Sequence, residues 1–220
     1  MTVSSLNMPT LHIERQLLAG GANIVAGIDE VGRGALAGVV SIGIVLIDAD
    51  IADPPPGLRD SKGLTAAARE RLVPLIKQWA LASCVANASA MEIDKLGIIG
   101  ALRLAAHRGL IRLGHRRIDT ILLDGTHNWL TGPAAMSNVV TQVKGDQLCA
   151  SIAAASVLAK VSRDAEMVDL ARAHPEYGFD QNKGYSTPDH MRALASLGPT
   201  KAHRRTWNLP IDNQGVINER

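Results

Sequence analysis

An apolar run that ends in two adjacent carboxylates constrains this chain most. Residues 24–28 are apolar and partly β-branched, as expected of a buried strand, and Asp29 and Glu30 follow directly. A Gly-Arg-Gly turn occupies residues 32–34. Neighbouring acids repel each other, and the end of a buried strand disfavours negative charge unless a cation shares the site. Ligands of α/β sheets bind at this edge, so the pattern predicts a divalent metal site.

Length and composition are those of one large domain, or of one domain with a modest appendage. The chain has 220 residues, of which 46% are hydrophobic, and a formal charge of +2, which is too small for a polybasic nucleic-acid coat. Basic residues nevertheless cluster at 103–117 and at 201–205. These clusters are interpreted either as solvated helix faces or as phosphate contacts, and the sequence leaves both open.

The cysteines, the N-terminus and the hydropathy predict a cytoplasmic protein without membrane contact. Cys84 and Cys149 are far apart and lack metal-binding spacing, so we expect free thiols in a reducing compartment. Residues 1–10 lack the basic start and apolar core of a signal peptide. No apolar stretch reaches the roughly 20 residues of a membrane span.

The order of predicted elements favours a mixed α/β sheet over a parallel doubly wound one. The second strand, 39–47, follows the glycine turn so closely that an antiparallel pair is expected. Ser89 and Glu92 match a capping box, and Thr187-Pro188 begins a late helix. The remaining predictions are strands at 81–88, 118–125 and 138–143, and helices at 11–18, 65–79, 100–113 and 151–173.

Two further acids are predicted to join the first pair. Asp124 ends one predicted strand, and Asp146 lies just beyond another. If these strands are neighbours, the carboxylates converge at one sheet edge and can hold two cations such as Mg²⁺ or Mn²⁺. A lone Asp124-Gly125 is more simply a turn, but the set of acids weakens that interpretation. Asp164 is also a candidate metal ligand, although an i,i+4 ion pair with Lys160 gives its carboxylate a structural role instead.

The glycines also invite a comparison with a dinucleotide-binding turn. Such a turn should open a helix, whereas residues 39–45 are β-branched and broken by glycine. Asp29 and Glu30 would also face a pyrophosphate with no cation between them. We therefore do not favour a dinucleotide-binding turn.

Several motifs in order make the chain resemble ribonuclease HII. Residues 27–38 resemble the family's glycine-rich aspartate-glutamate signature, and Asp60-Ser61-Lys62 resembles its aspartate-serine-lysine loop. The resemblance runs from about residue 11 to about 210. Its other motifs are Leu123-Asp124-Gly125, Lys144-Gly145-Asp146, residues 151–156 with 159–164, Lys183-Gly184-Tyr185 and His203-Arg204-Arg205.

The resemblance implies an endonuclease that hydrolyses the RNA strand of RNA–DNA hybrids. It would also cut 5′ to single ribonucleotides in duplex DNA, by two-metal-ion catalysis with Mn²⁺ or Mg²⁺, leaving 5′-phosphate and 3′-hydroxyl ends. Asp29, Glu30, Asp124 and Asp146 would be the catalytic metal ligands. The substrate-binding residues would be Gly32, Arg33 and Gly34 at the ribose 2′-OH, Tyr185 at the junction, and Lys62, Arg204 and Arg205 on phosphates.

The resemblance also implies a fold: a ribonuclease H-like mixed β-sheet flanked by helices, with a helical C-terminal segment. We expect a catalytic domain at 11–173, a substrate-binding segment at 174–212, and a disordered tail at 213–220, in a monomer. Asn182 and Ser186 depart from the family pattern beside Tyr185. A competing hypothesis is a nucleic-acid-binding module whose carboxylates hold only structural metal.

Overall fold

The computed structural model describes residues 8–114, 117–131 and 138–210. Five strands form one sheet: β1 (Val25–Val31), β2 (Val40–Ile47), β3 (Ala82–Ala88), β4 (Thr120–Asp124) and β5 (Asn138–Gln142). Seven helices accompany it within these ranges: α1 (His12–Ala19), α2 (Ala66–Trp79), α3 (Ala90–Arg112), α4 (Gly145–Leu148), α5 (Ala150–Ala173), α6 (Phe179–Asn182) and α7 (Pro188–Leu197). Short 3₁₀ turns lie at Ser61–Gly63 and Pro175–Tyr177.

The sheet is mixed, as the sequence predicted. Its strand order is β3-β2-β1-β4-β5. β1, β2 and β3 pair antiparallel, whereas β4 and β5 run parallel to β1. β1 and β4 therefore end at the same edge, on neighbouring strands in the middle of the sheet.

Small residues let α5 lie directly on the sheet. A side-chain carbon at Gly27 would come within 2.5 Å of the Ser151 side chain, and one at Gly43 would overlap the Ala155 carbonyl oxygen. A larger residue at either strand position would push the helix outward. The alanine-rich start of α5 thus fixes its distance from β1 and β2.

Separate apolar clusters cover the two faces of the sheet. One packs α3 against Ile28, Ile42 and Leu123, and the other packs α2 and α5 against Val45 and Leu122. Successive strand residues point to opposite faces, so burial on both sides explains why these strands are apolar throughout. A third cluster joins Ala37 on the glycine-rich turn to Met167, Tyr177, Phe179 and Leu194.

The predicted helix caps are confirmed. Ser89 and Glu92 form a reciprocal capping box at the start of α3, and Thr187 accepts a hydrogen bond from the His190 N–H at the start of α7. Gly97 has a φ of 69° and kinks α3. The predicted helix at 100–113 is therefore the second part of one longer element.

Some boundaries differ from expectation. β1 continues to Val31, so Asp29 and Glu30 lie within the strand rather than after it, because residues 25–31 keep their pairing with β2. Asp146 lies just beyond the end of β5, as expected, but within the short helix α4.

The predicted division at residue 173 stays a prediction. Residues 211–212 and the predicted disordered tail at 213–220 lie outside the described residues. Within the described part of the chain, no helix combines the length and apolarity needed to cross a membrane.

Candidate active site

Strand register brings Asp29 and Asp124 together. Ile28 of β1 pairs with Leu123 of parallel β4, so the next residues along each strand are neighbours on the opposite face, the face that α5 covers. Asp29 is 7% exposed, and its Oδ1 accepts a 2.7 Å hydrogen bond from the Glu30 N–H. Asp124 Oδ1 accepts a 2.7 Å bond from the Gly145 N–H, which ties the start of α4 to the end of β4.

Asp146 joins this group from α4. Its side chain is buried, and Oδ2 lies 3.4 Å from Nζ of Lys62, whose side chain is 79% exposed. Burial and the charges of Asp124 and Asp60 raise the pKa of Asp146, while the Lys62 ammonium opposes that rise. Lys62 thus reaches from the 60–63 loop to the carboxylates.

Glu30 lies at the same edge but points to the other face of the sheet, as alternation requires. Oε1 accepts a 3.1 Å bond from Arg33, and Oε2 is buried without a hydrogen-bond partner among the described residues. Burial raises the pKa of Glu30, and the Arg33 guanidinium offsets this only in part. An unpartnered, buried carboxylate oxygen is costly and is a natural position for a cation.

The electrostatics show that these acids act on one another. Burial raises the pKa of Asp29 well above its usual range, and the charges of Asp124, Glu30 and Asp146 raise it further. Within the described ranges, no three His, Cys, Asp or Glu side chains are grouped closely enough to hold a metal ion as they stand. The donor set itself, buried carboxylate oxygens that repel one another, suits hard divalent cations.

The Gly-Arg-Gly turn is held from beneath by two buried arginines. Arg204 donates to the carbonyl oxygens of Gly32 (2.6 Å) and Arg33 (2.8 Å), and Arg163 donates to those of Val39 (2.9 Å) and Ala37 (3.2 Å). Gly32 has a φ of 86°, and a side-chain carbon there would overlap Nε of Arg163. Glycine is therefore required at this position on two grounds.

Tyr185 lies beside the same turn. The Gly184 carbonyl accepts from the Leu36 N–H (2.7 Å), and the Arg163 guanidinium lies 5.6 Å from the centre of the Tyr185 ring. Tyr185 is 37% exposed, so much of its ring remains open to a ligand. The structure thus brings Tyr185 to the glycine-rich turn.

The structure corrects the role predicted for Arg204. Its side chain is fully buried, and both of its terminal nitrogens donate to backbone carbonyls, so it cannot grip a phosphate at the surface. Burial and the charge of Arg163 lower the pKa of Arg204 to about 9. Arg205 is exposed, with its N–H bonded to Asp94, and a phosphate role for its side chain stays a prediction.

Ion pairs and backbone contacts account for Asp164 and for much of the basic run on α3. Asp164 forms the expected ion pair with Lys160, at 2.7 Å. On α3, Arg108 bonds to Glu92, Arg103 to the Trp129 carbonyl, and Arg112 to the Val85 carbonyl, which favours a structural role for these arginines. His115 and Arg116 lie outside the described residues.

Sequence reasoning missed several residues that support the site. Arg163 lay within a recognised motif, but nothing in the motif shows that its charge is buried beneath the turn. Asn182 looked like a departure from the family pattern, yet it donates to the Tyr177 carbonyl and accepts from the Gly184 N–H. His190 donates to the Tyr185 carbonyl from Nδ1 and contacts His203 through Nε2. The sequence carries the identity of these residues but no signal of these contacts.

Comparison with known proteins finds one family along most of the chain. The family model for ribonuclease HII matches residues 26–209. A ribonuclease HII from Streptomyces avermitilis is 46% identical over 200 residues, which cover 90% of this chain and 83% of that protein. One from Paracoccus denitrificans is 46% identical over 205 residues, covering 92% and 93% of the two chains.

A solved structure gives the same result at the level of the fold. Ribonuclease H2 from Pyrococcus horikoshii superimposes with a TM-score of 0.66 at 27% identity, covering 85% of this chain and 95% of that one. The match of the family model spans the carboxylates, the glycine turn and Tyr185 alike. The chain belongs to the ribonuclease HII family.

Proposed function

We propose that this ribonuclease H, which acts on the RNA of RNA–DNA hybrids, also cuts 5′ to single ribonucleotides embedded in duplex DNA. The observation that carries the proposal is the adjacency of two features at one sheet edge. The first is the acid group of buried Asp29, half-buried Asp124 and buried Asp146. The second is the glycine turn that follows β1, with Tyr185 beside it. The first can serve phosphodiester hydrolysis. The second offers backbone close to where a sugar would lie, and the 2′-OH is what distinguishes RNA from DNA at one nucleotide.

Asp29, Glu30, Asp124 and Asp146 would hold two divalent cations, Mg²⁺ or Mn²⁺. When bound, such a pair activates a water and stabilises the leaving oxygen of an in-line displacement, giving 5′-phosphate and 3′-hydroxyl ends. The structure of Bst-RNase HIII in complex with Mn²⁺ shares the fold, with a TM-score of 0.67 at 21% identity, and covers 89% of this chain and 70% of that one. The fit in this chain rests on its own buried carboxylate oxygens.

The remaining residues would orient the substrate. Gly32, Arg33 and Gly34 would approach the ribose 2′-OH through their backbone, and Tyr185 would stack at the RNA–DNA junction. Lys62 and Arg205, both exposed, would contact phosphates. Lys62 would also stay close to Asp146 and moderate the repulsion among the carboxylates. We propose that the enzyme acts as a monomer in the cytoplasm.

The decisive experiment uses a duplex that contains one ribonucleotide. It is incubated with Mg²⁺ or Mn²⁺, and the cut is located at nucleotide resolution. We expect a single cut 5′ to the ribonucleotide and none in an all-DNA duplex. The Asp29→Asn variant should bind the duplex but not cut it, because it loses a metal-binding charge. Cleavage by this variant would remove Asp29 from the site, and cutting of the all-DNA duplex would remove the ribose specificity.

A further inference from the structure

Two guanidinium groups lie buried side by side beneath the glycine turn. Arg163 and Arg204 are both fully buried, and neither forms an ion pair with an Asp or Glu of the described residues. Burying a charge without a counter-charge is costly unless hydrogen bonds satisfy it. Here the partners are backbone carbonyl oxygens, so the cost is tied to one conformation of the turn.

Arg204 determines which way the first peptides of the turn face. Its donors hold the carbonyl oxygens of Gly32 and Arg33 on the buried side. In a trans peptide the carbonyl of one residue and the N–H of the next point in opposite directions, and the described chain has no cis bond. The N–H groups of Arg33 and Gly34 therefore face away from Arg204. A side-chain carbon at Gly34 would meet nothing within 4 Å, so the turn has open space around this residue.

Arg163 connects the far end of the turn to Tyr185. It donates to the carbonyl oxygens of Ala37 and Val39 on the turn, and to that of Lys183 at 2.9 Å. Its guanidinium also faces the Tyr185 ring. Lys183 has a left-handed φ of 51°, a conformation that is unfavourable for a non-glycine residue and needs support from its surroundings. One side chain thus supports both elements that would meet the ribonucleotide.

We propose that Arg204 and Arg163 are positioning residues for ribose recognition. Arg204 directs the Arg33 and Gly34 N–H groups outward, and Arg163 holds Tyr185 in a fixed position relative to the turn. This inference rests on the proposed function. Lysine cannot replace either residue, since an ammonium lacks the planar fork that reaches several carbonyl oxygens at once.

The test compares the affinities of two duplexes that differ only in one ribonucleotide. All proteins carry Asp29→Asn, so that binding is measured without cleavage, and the readout is the ratio of the two dissociation constants. Arg204→Lys and Arg163→Lys should each reduce the preference for the ribonucleotide by about fivefold to thirtyfold, as expected for one or two lost hydrogen bonds. Affinity for the all-DNA duplex should change little. Arg172→Lys, an exposed arginine on α5 paired with Asp169, is the matched control and should leave the ratio unchanged.

Each outcome has a distinct meaning. If the Asp29→Asn parent itself shows no preference for the ribonucleotide, the proposed function fails. If the parent shows the preference and both lysine variants retain it, the positioning roles are wrong. Equal weakening toward both duplexes would also overturn them, because it indicates a purely structural role.

A second variant covers the case in which the arginine variants do not fold. Gly34→Ala adds a methyl group to the turn at a position where the structure has room for it. The protein should fold normally but lose preference for the ribonucleotide, because a methyl group next to the Gly34 N–H hinders the close approach of a ribose. An unchanged ratio in Gly34→Ala would contradict the proposed orientation of the turn.

Discussion

At the scale of single residues, the buried acids of this chain have two different kinds of surroundings. Asp29 and Asp146 lie among other carboxylates, where a bound cation would relieve their repulsion. Glu14 is held differently: its Oε1 accepts from the N–H (2.9 Å) and hydroxyl (2.8 Å) of Ser151 at the start of α5, and its Oε2 is buried without a partner among the described residues. Glu14 therefore joins α1 to α5, and its charge is a cost to folding.

The burial of Glu14 predicts how the free energy of unfolding depends on pH. Burial raises the pKa of Glu14 above its ordinary value of 4.5. The folded state then favours the neutral carboxylic acid of Glu14. The stabilisation that protonated Glu14 gives the folded state is complete below pH 4.5 and is lost as the pH rises through the raised pKa. Glu14→Gln removes the effect. The stability of the variant relative to wild type should increase from about pH 4 to pH 8, by about 1.4 kcal/mol for each unit separating the folded and unfolded pKa values.

Chemical denaturation of both proteins across this pH range checks the prediction. The exposed Glu70→Gln variant on α2 serves as the control and should follow wild type at every pH. A constant difference between Glu14→Gln and wild type would show that Glu14 has the same pKa in the folded and unfolded states.

Tyr185 carries a second prediction at this scale. Because its ring is partly exposed, Tyr185→Ala should fold normally. Loss of stacking should slow cleavage at a single embedded ribonucleotide about tenfold or more, and should slow it more than cleavage of a continuous RNA–DNA hybrid. Single-turnover rates on both substrates test this. An unchanged rate at the single ribonucleotide would exclude the proposed contact.

At the scale of elements, the loop that carries Lys62 is held by residues of two helices. Arg69 of α2 donates 2.9 Å hydrogen bonds to the carbonyl oxygens of Ser61 and Leu64, and lies 3.7 Å from Asp164 of α5. The Ser61 N–H bonds to the Ser156 hydroxyl on α5. The loop is therefore fixed to α5, the same helix that packs against β1. This attachment keeps the Lys62 ammonium close to the Asp146 carboxylate.

The Arg69→Ala variant tests this arrangement. Removing the two hydrogen bonds should leave the sheet and its core intact but free the Lys62 loop, so we expect about a tenfold lower cleavage rate from the misplaced ammonium. Glu70→Ala, an exposed neighbour, should retain the wild-type rate. The rate of proteolysis within residues 59–64 provides an independent readout. Unchanged cleavage together with faster proteolysis would show that Lys62 does not contribute to the reaction.

At the scale of the whole molecule, the sheet gathers charges that are distant in sequence. Asp29, Asp124 and Asp146 come from two parallel strands and a short helix, and the core behind them prevents them from moving apart. Mutual repulsion is then present in the folded state and absent from the unfolded chain. Cations that bind the folded state should therefore stabilise the protein.

Thermal unfolding with added metal measures this effect. A saturating concentration of Mn²⁺, about a hundred times the dissociation constant, should stabilise wild type by about 2.7 kcal/mol and raise its melting temperature. In Asp124→Asn the increase should be much smaller, because the site loses a charged ligand. K⁺ at equal ionic strength is the control for screening. An equal Mn²⁺ shift in both proteins would place the metal elsewhere.

The fold could be predicted in large part because its causes are local in sequence. The apolar run before Asp29, the antiparallel β1–β2 pair, and the Ser89 capping box each depend on residues close together, and the structure confirms them. The convergence of Asp29 and Asp124 could also be predicted, because neighbouring parallel strands end at a shared sheet edge.

The tertiary structure decided what lies beneath the turn. Arg204 is 172 residues from Gly32, and its charge looked like a surface contact, as did the rest of its basic cluster. Its burial, and that of Arg163, follows from the way α5 and the C-terminal residues pack against the turn, which no local pattern records. The sequence by itself determined the strands, the acids and the glycines. Packing between distant parts of the chain determined which charges are buried beneath the turn and which remain exposed. The physical reason is that the cost of burying a charge depends on the hydrogen-bond partners that the fold supplies.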